Sequence, residues 1–139
     1  MSQQIENLAN PRVQQLLLAE ALDTAPVLVF VADEQMRYVA VNQTACDVLG
    51  YSRTEVLQLR VTDIAVAPEA GDLYDALLRT RRQEGSTPLR AKDGRLIPFF
   101  YNARSTTVAG MQYFVALGFL EEQLPPALVE LVVAARPSE

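Results

Sequence analysis

An Asp-Gly dipeptide, Asp93-Gly94, places the strongest constraint on what this chain can fold into. Asp-Gly between two β-forming runs is the strongest short-range signal for a β-hairpin. The flanking runs, 87–91 and 96–105, are rich in apolar and aromatic residues. They predict two antiparallel strands that are adjacent in one sheet.

Three more strands are predicted around this hairpin. Ala109-Gly110 turns the chain into a run over 112–120. Nearer the N-terminus, the runs 28–32 and 37–41 are joined by a short polar link, which predicts another hairpin although the usual Gly is missing.

A helix is predicted over 11–23, before the first strand. Asn10 is a suitable N-cap, Pro11 suits the first helical position, and Pro26 ends the helical pattern. The apolar residues recur at helical spacing on one face. They are Val13, Leu16, Leu17 and Ala21.

Several helices are predicted between the second and third strands, and one after the last. Asn42 precedes a short helix that Gly50 ends, and Ser52 with Glu55 forms a capping box for the next. Further helices are expected from Thr62-Asp63, over 69–84 with Gly85 as its end, and over the apolar stretch 127–135.

This order predicts an α+β fold, because the helices are segregated from a five-stranded antiparallel sheet. The chain of 139 residues is half hydrophobic and 21% charged, which suits one globular domain. We divide it into an N-terminal helical cap over 1–23, a central domain over 24–122, and a C-terminal apolar helix and tail over 123–139.

Composition argues against several function classes. The net charge is −5, and the densest basic cluster is Arg79, Arg81 and Arg82, so direct binding to nucleic acid is not expected. Histidine is absent, which disfavours acid–base catalysis and haem ligation. The polar first ten residues and the short apolar runs predict no signal peptide and no membrane span. We therefore expect a cytoplasmic protein.

Two motif blocks of the sequence resemble those of the PAS domain family, and they lie in the same order and at a similar distance from each other as in that family. The first matches the pattern N-x-x-A…L-G-Y-S-x-x-E-L, and the second matches K-D-G-x-x-I-P. Here they are Asn42, Ala45, Leu49, Gly50, Tyr51, Ser52, Glu55 and Leu57, then Lys92, Asp93, Gly94, Ile97 and Pro98. The resemblance implies a PAS fold, with short helices covering the inner face of the sheet, and a role in sensing and signalling.

The cofactors known in this family are not expected here. The N-C-R-F-L-Q segment of flavin-binding LOV domains is absent, and Cys46 is interpreted as a small buried apolar residue. The chain is locally similar to the photoactive yellow protein family at Val66-Ala67-Pro68, but Glu69 follows where that family has its chromophore cysteine.

The resemblance and the two-residue repeat of strands together place an apolar set inside the domain. This interior either encloses a small apolar ligand or is a filled core, and the expected lining also includes Val39. The candidate pocket residues are Phe30, Val41, Ala45, Leu49, Ile64, Phe99, Tyr101, Val115 and Leu117.

The opposite face of the sheet is also apolar and needs a cover. The 11–23 helix and the 127–135 helix are the natural covers, so we expect a homodimer. The alternative is a monomer whose own helices cover the sheet. The candidate residues are Val13, Leu16, Leu17, Val29, Phe100 and Phe114.

These expectations favour a non-catalytic module that signals through ligand or partner binding and dimerisation. It would work alone or as the input piece of a signalling or transcription regulator. The alternatives are a purely structural dimerisation domain, or a small isomerase using a carboxylate such as Asp33, Asp47 or Asp63. Phe119-Leu120-Glu121-Glu122 departs from the D-I-T-E exit of many PAS domains, which puts the usual output through a C-terminal helix in doubt.

Overall fold

The computed structural model describes residues 2–66 and 82–120. Within them lies one five-stranded sheet of order β2-β1-β5-β4-β3, in which every neighbouring pair is antiparallel. The strands are β1 Leu28–Ala32, β2 Tyr38–Val41, β3 Arg82–Arg90, β4 Leu96–Val108 and β5 Met111–Leu120. The predicted α+β class and its sheet are confirmed.

Five helices lie in the described ranges, namely α1 Ser2–Leu8, α2 Pro11–Asp23, α3 Gln43–Leu49, α4 Arg53–Val56 and α5 Val61–Ile64. The sequence predicted all but α1. None of these helices is long and apolar enough to cross a membrane.

The helix predicted over 69–84 is wrong at its C-terminal end. Residues 82–84 begin β3, and Gly85 lies inside that strand opposite Tyr101 instead of ending a helix. The residues Arg82, Gln83 and Glu84 favour helix by propensity, but pairing with β4 overrides that weak preference. The rest of this prediction, the Ala67-Pro68-Glu69 comparison and the 127–135 helix fall outside the described residues.

Positive φ angles occur at the hairpin turns, as the turn residues predicted. Gly94 has φ 92°, and Ala109 and Gly110 have φ 51° and 78°, which suit a two-residue type I′ turn between β4 and β5. In the β1–β2 hairpin, Met36 takes the position usual for Gly, with φ 64°. A hydrogen bond from Met36 N–H to the Asp33 carbonyl closes this turn.

A β-bulge in the first hairpin changes which residue of β2 faces the core. The register shifts between Val31 and Ala32, so that Ala32 pairs with Tyr38. Tyr38 and Val41 are buried, whereas Val39 is exposed. The expectation that Val39 lies inside is therefore wrong, because the bulge breaks the two-residue alternation.

The register of β5 corrects three further placements. Cross-strand partners point to the same face of a sheet, and Phe30 and Ala32 on the inner face pair with Ala116 and Phe114. Phe114 is thus on the inner face, not the outer one. Val115 and Leu117 pair with Val31 and Val29 and lie on the outer face, where Leu117 is exposed. The sequence pattern failed here because both faces of β5 are apolar.

Gly118 allows β4 and β5 to come close together. A Cβ at this position would overlap the Phe100 carbonyl oxygen and would stand 2.8 Å from the Tyr101 Cα, both backbone atoms of β4. No side chain can fit without moving the strand, so Gly118 fixes the centre of the sheet.

Candidate functional site

The inner face of the sheet brings together most of the predicted pocket residues. Phe30, Val41, Ala45, Leu49, Ile64 and Phe99 belong to one buried apolar cluster, and the half-buried Tyr101 packs against it. Helices α3, α4 and α5 contribute Leu49, Val56 and Ile64, all almost fully buried. The cluster is the main core of the described residues.

A line of aromatic rings crosses this inner face. The Phe30 centroid lies 5.5 Å from that of Tyr38 and 5.9 Å from that of Phe99, the latter in an edge-to-face arrangement. The Phe99 and Tyr101 rings are stacked with centroids 6.0 Å apart. Such pairs stabilise a core beyond their area alone. They also line one side of the interior with aromatic rings at different inclinations.

Tyr38 is a member of this site that the sequence reasoning missed. Its side chain is buried beside Phe30, and burial raises the pKa of its phenol, with the negative charge of Asp63 adding to the effect. The phenol therefore stays neutral. A strict alternation along β2 would have assigned Tyr38 to the outside, and only the bulge turns it inward.

Two hydroxyl groups on the inner face are buried without a hydrogen-bond partner in the described part of the chain. They belong to Thr87 of β3 and Ser105 of β4. Thr87 pairs with Phe99, and Ser105 pairs with Phe114 near the far end of the β4–β5 hairpin. Buried hydroxyls are normally hydrogen-bonded, so both groups call for a physical explanation.

Asn42 joins the N-terminal helix, the sheet and α3. Its Nδ2 donates hydrogen bonds to the carbonyls of Leu22 and Val27 at 2.9 and 2.8 Å. Its Oδ1 accepts from the N–H groups of Val29 and Ala45 at 3.1 and 3.2 Å. The predicted capping of α3 is confirmed, and three further bonds accompany it. The buried amide thus uses both donors and both acceptor positions.

A second polar group fixes the end of α2. Asp23 Oδ1 accepts hydrogen bonds from Gln43 N–H at 3.0 Å and from Arg53 Nη2 at 2.7 Å. The Thr44 hydroxyl donates to the Ala25 carbonyl at 2.6 Å. The C-terminal end of α2 is therefore attached to α3 and α4 by side-chain contacts.

The two motif blocks meet in space, although they lie far apart in the sequence. Lys92 N–H donates to the Leu49 carbonyl at 2.8 Å, and the Tyr51 hydroxyl donates to the Arg90 carbonyl at 3.2 Å. Lys92 Nζ also lies 2.8 Å from Glu55 Oε2. The helix end at Gly50 and the β3–β4 hairpin thus form one structural unit.

Glu55 has two roles in this unit. It completes the predicted capping box, since Ser52 N–H donates to Glu55 Oε1 and Glu55 N–H donates to Ser52 Oγ. Lys92 and the Ser52 N–H hold the pKa of the Glu55 carboxyl below its usual value. These contacts therefore stabilise the charged form of the Glu55 side chain.

Comparison with known proteins agrees with this geometry. The family model described as PAS domain matches residues 26–123, which is most of the chain. The chain belongs to the PAS domain family. No curated protein sequence matches it.

Solved PAS domains have the same fold at low sequence identity. A PAS domain from a two-component sensor histidine kinase superposes with a TM-score of 0.71 and 15% identity, covering 80% of this chain and 99% of that one. The PAS domain of an HTR-like protein from Haloarcula marismortui gives 0.69 and 19%, covering 86% and 99%. The PAS domain of nitrogen regulation protein NR(II) from Vibrio parahaemolyticus gives 0.64 and 12%, covering 75% and 97%.

The predicted covering surface of this PAS domain divides into a buried and an exposed part. Val29 and Phe100, on the outer face of the sheet, are buried. All of α2 lies in the described part of the chain, and none of its side chains is buried. Val13 is half-buried, while Leu16 and Leu17 are exposed. The helix thus presents leucines to solvent.

Among the described residues of the PAS domain, the remaining chemistry-bearing groups do not form a second site. Cys46 is buried in α3, and burial raises the pKa of its thiol, as expected for a small core residue. Over residues 2–66 and 82–120, no three side chains of the metal-binding types come together.

Proposed function

We propose that this PAS domain is a non-catalytic sensory module that works as a homodimer and is the input piece of a signalling or transcription regulator. The observation that carries the proposal is α2, whose leucines are exposed while its C-terminal end is hydrogen-bonded to the core through Asn42 and Asp23. A partner bound to this helix is in mechanical contact with the sheet and α3. The signal that the module receives is the binding of a small molecule or of a protein partner.

A second copy of the chain is the occupant that best fits α2. Val13, Leu16 and Leu17 form an apolar stripe, and Arg12 and Glu20 lie four residues to either side of Leu16 on the same helix face. Two such helices packed antiparallel about Leu16 place Arg12 of each copy beside Glu20 of the other. A parallel arrangement would bring like charges together. The charge pattern therefore favours an antiparallel, self-complementary contact.

The carboxylates considered for an isomerase do not resemble a catalytic base. Asp33 accepts hydrogen bonds from the N–H groups of Gln35 and Arg37 and forms an ion pair with the Arg37 side chain. Although partial burial opposes it, this bonding lowers the pKa of Asp33. Asp47 and Asp63 are exposed, and Asp63 caps α5 by accepting from Arg60 N–H. These roles in turns and caps support a signalling function over catalysis.

The homodimer is tested with two variants matched in exposure. Leu16 and Leu18 are 68% and 67% exposed, but two residues along a helix place them on nearly opposite sides. In sedimentation velocity, Leu16→Glu is expected to weaken self-association at least tenfold, whereas Leu18→Glu leaves it within about twofold, since one buried leucine contributes about 1.5–3 kcal/mol. A wild-type chain that stays monomeric, or equal effects of the two variants, would contradict the proposal.

The antiparallel arrangement has its own test. Arg12→Glu and Glu20→Arg should each weaken the dimer by placing like charges together, and the double variant should restore it. If neither Arg12→Glu nor Glu20→Arg weakens the dimer, the two α2 helices do not pack antiparallel about Leu16, although the chain can still be a dimer. Hydrogen exchange of the α2 amides tests whether binding is transmitted to the dimer. If the chain dimerises but no partner or small molecule changes this exchange, the domain is a purely structural dimerisation domain.

A further inference from the structure

The segment 59–66 runs from one edge of the sheet to the other. Near its start, Arg60 pairs antiparallel with Arg37, the residue that precedes β2. At its end, Ala65 pairs antiparallel with Leu89 of β3. Since β2 and β3 are the two outermost strands, this segment is attached to both edges of the sheet, and we call it the strap.

The strap reaches both edges only because the sheet is strongly curved. In a flat sheet, strand spacings of about 4.8 Å would hold Arg60 and Ala65 about 29 Å apart. The chain from Arg60 to Ala65 spans at most about 18 Å, even when it is fully extended. The two edges are therefore closer together than in a flat sheet, and the strap joins them across the inner face.

The strap is short and internally bonded, so neither end moves freely without the other. Its middle is α5, in which Ala65 N–H donates to the Val61 carbonyl at 2.7 Å and Arg60 N–H donates to Asp63 Oδ2 at 2.8 Å. Ile64 is fully buried and belongs to the main core. A displacement at one edge is therefore passed to the other edge by a packed single-turn helix.

We propose that the strap opens and closes as one unit and thereby couples the two edges of the sheet. In the closed state, Tyr38 N–H of β2 donates to the Leu59 carbonyl at 3.1 Å. At the other edge, Val66 N–H donates to the Pro88 carbonyl of β3 at 3.0 Å. Opening breaks both contacts together. Because β2 leads directly into Asn42, which is bonded to α2, a change at β3 reaches the N-terminal helix through the strap.

Hydrogen exchange of single amides in the ¹⁵N-labelled full chain tests this coupling, since local opening sets the exchange rate. Val66→Pro removes the N–H that binds the Pro88 carbonyl. Ala65, with φ −82° and ψ 112°, already has the extended backbone that a following proline requires. Loss of this one hydrogen bond should speed exchange of the Tyr38 amide, at the opposite edge, by about two- to tenfold. Val66→Ala keeps the N–H and should have a smaller effect.

The reverse experiment perturbs the β2 edge and observes the β3 edge. Val61 is the first residue of α5, a position that suits proline, and Arg60 before it is extended with φ −106° and ψ 163°. Val61→Pro removes the hydrogen bond from Val61 N–H to the Met36 carbonyl. The Val66 amide should then exchange about two- to tenfold faster, because coupling between two sites acts in both directions. Val61→Ala keeps the N–H and is the control for lost packing.

Asp93→Ala is the control for a general loss of stability. It removes two hydrogen bonds from Arg95 in the β3–β4 turn, which stays folded when the strap opens, so the Tyr38 and Val66 amides should exchange as in the wild type. If Asp93→Ala speeds the Tyr38 amide as much as Val66→Pro does, these amides exchange through unfolding of the whole domain and the proposal is wrong.

The proposal is also wrong if Val66→Pro leaves the Tyr38 amide unchanged, because the two ends of the strap then open independently. Should Val66→Pro fail to fold, Val61→Pro decides the question through the Val66 amide. The strap goes beyond the proposed function and is the same in a monomer and a dimer. Neither result therefore bears on the dimer, which the α2 variants test separately.

Discussion

Replacing Asn42 by alanine should remove the contact that joins α2, the sheet and α3. The variant loses four side-chain hydrogen bonds and leaves the buried backbone groups Val27 C=O and Val29 N–H without partners. Loss of an N-cap costs about 1 kcal/mol, and each unsatisfied buried group costs about 1–3 kcal/mol. We expect the free energy of unfolding to fall by about 3–7 kcal/mol, a large part of the roughly 5–15 kcal/mol of a typical domain.

Urea denaturation followed by far-UV circular dichroism measures this loss, because the chain has no tryptophan to report by fluorescence. Asn10 provides the matched control. It caps α2 through a single exposed bond from Arg12 N–H to its Oδ1. Asn10→Ala should therefore cost no more than about 1 kcal/mol. A loss for Asn42→Ala as small as that of the control would refute the four-bond geometry.

A second substitution separates the bonds that Asn42 donates from those it accepts. Asn42→Asp keeps the shape and both acceptor positions but turns the donor side into an oxygen facing the carbonyls of Leu22 and Val27. Burial among these oxygens raises the pKa of the introduced carboxyl above its unfolded value. The variant should therefore be least stable, relative to wild type, at neutral pH and recover as the pH falls and the carboxyl is protonated. A difference from wild type that is constant with pH would contradict this reasoning.

Two further predictions concern the sheet centre and the contact between the motif blocks. Gly118→Ala should lower the free energy of unfolding by more than about 2 kcal/mol, since its Cβ would overlap the Phe100 carbonyl. Gly85→Ala is the control and should be tolerated, because the nearest atoms stand at least 3.7 Å from its Cβ. Thermal melts compare the two variants, and equal losses of stability would be inconsistent with the close approach of β4 and β5 at Gly118. Glu55→Gln should destabilise the protein at neutral pH through loss of the Lys92 pair. The folded state lowers the pKa of Glu55, so the stabilisation by its ion pair with Lys92 is present above the usual pKa of 4.5 and is lost as the pH falls below that value. If Glu55→Gln destabilised the protein equally in acid, the ion pair would not be the cause of the loss.

Local signals in the sequence predicted local structure accurately. Asn10, Asn42 and Ser52 cap the helices that follow them, as expected, because capping involves only residues within one helical turn. Gly50 and Gly94 take positive φ angles at the positions where turns were predicted. These features depend on contacts within about four residues, which a single sequence displays directly.

Orientation within the sheet was harder to predict. Leu117 and Phe114 were assigned to the wrong faces, because alternation cannot choose between two apolar faces of one strand. Val39 was assigned to the inner face in error, because a β-bulge shifts the register of β2. No residue in this part of the sequence indicates the bulge. Helical propensity at 82–84 yielded to pairing with β4, a contact made about 20 residues along the chain.

By itself, the sequence of this PAS domain determined the caps, the turns and the order of its helices and strands, because short-range sterics and hydrogen bonds decide them. Only the tertiary structure decided which apolar residues share the interior and what surrounds them. It brought Lys92 to Glu55, turned Tyr38 inward, and placed the Thr87 hydroxyl opposite Phe99. Each of these contacts joins segments far apart in the chain, and strand register and bulges set them through the packing of the whole sheet.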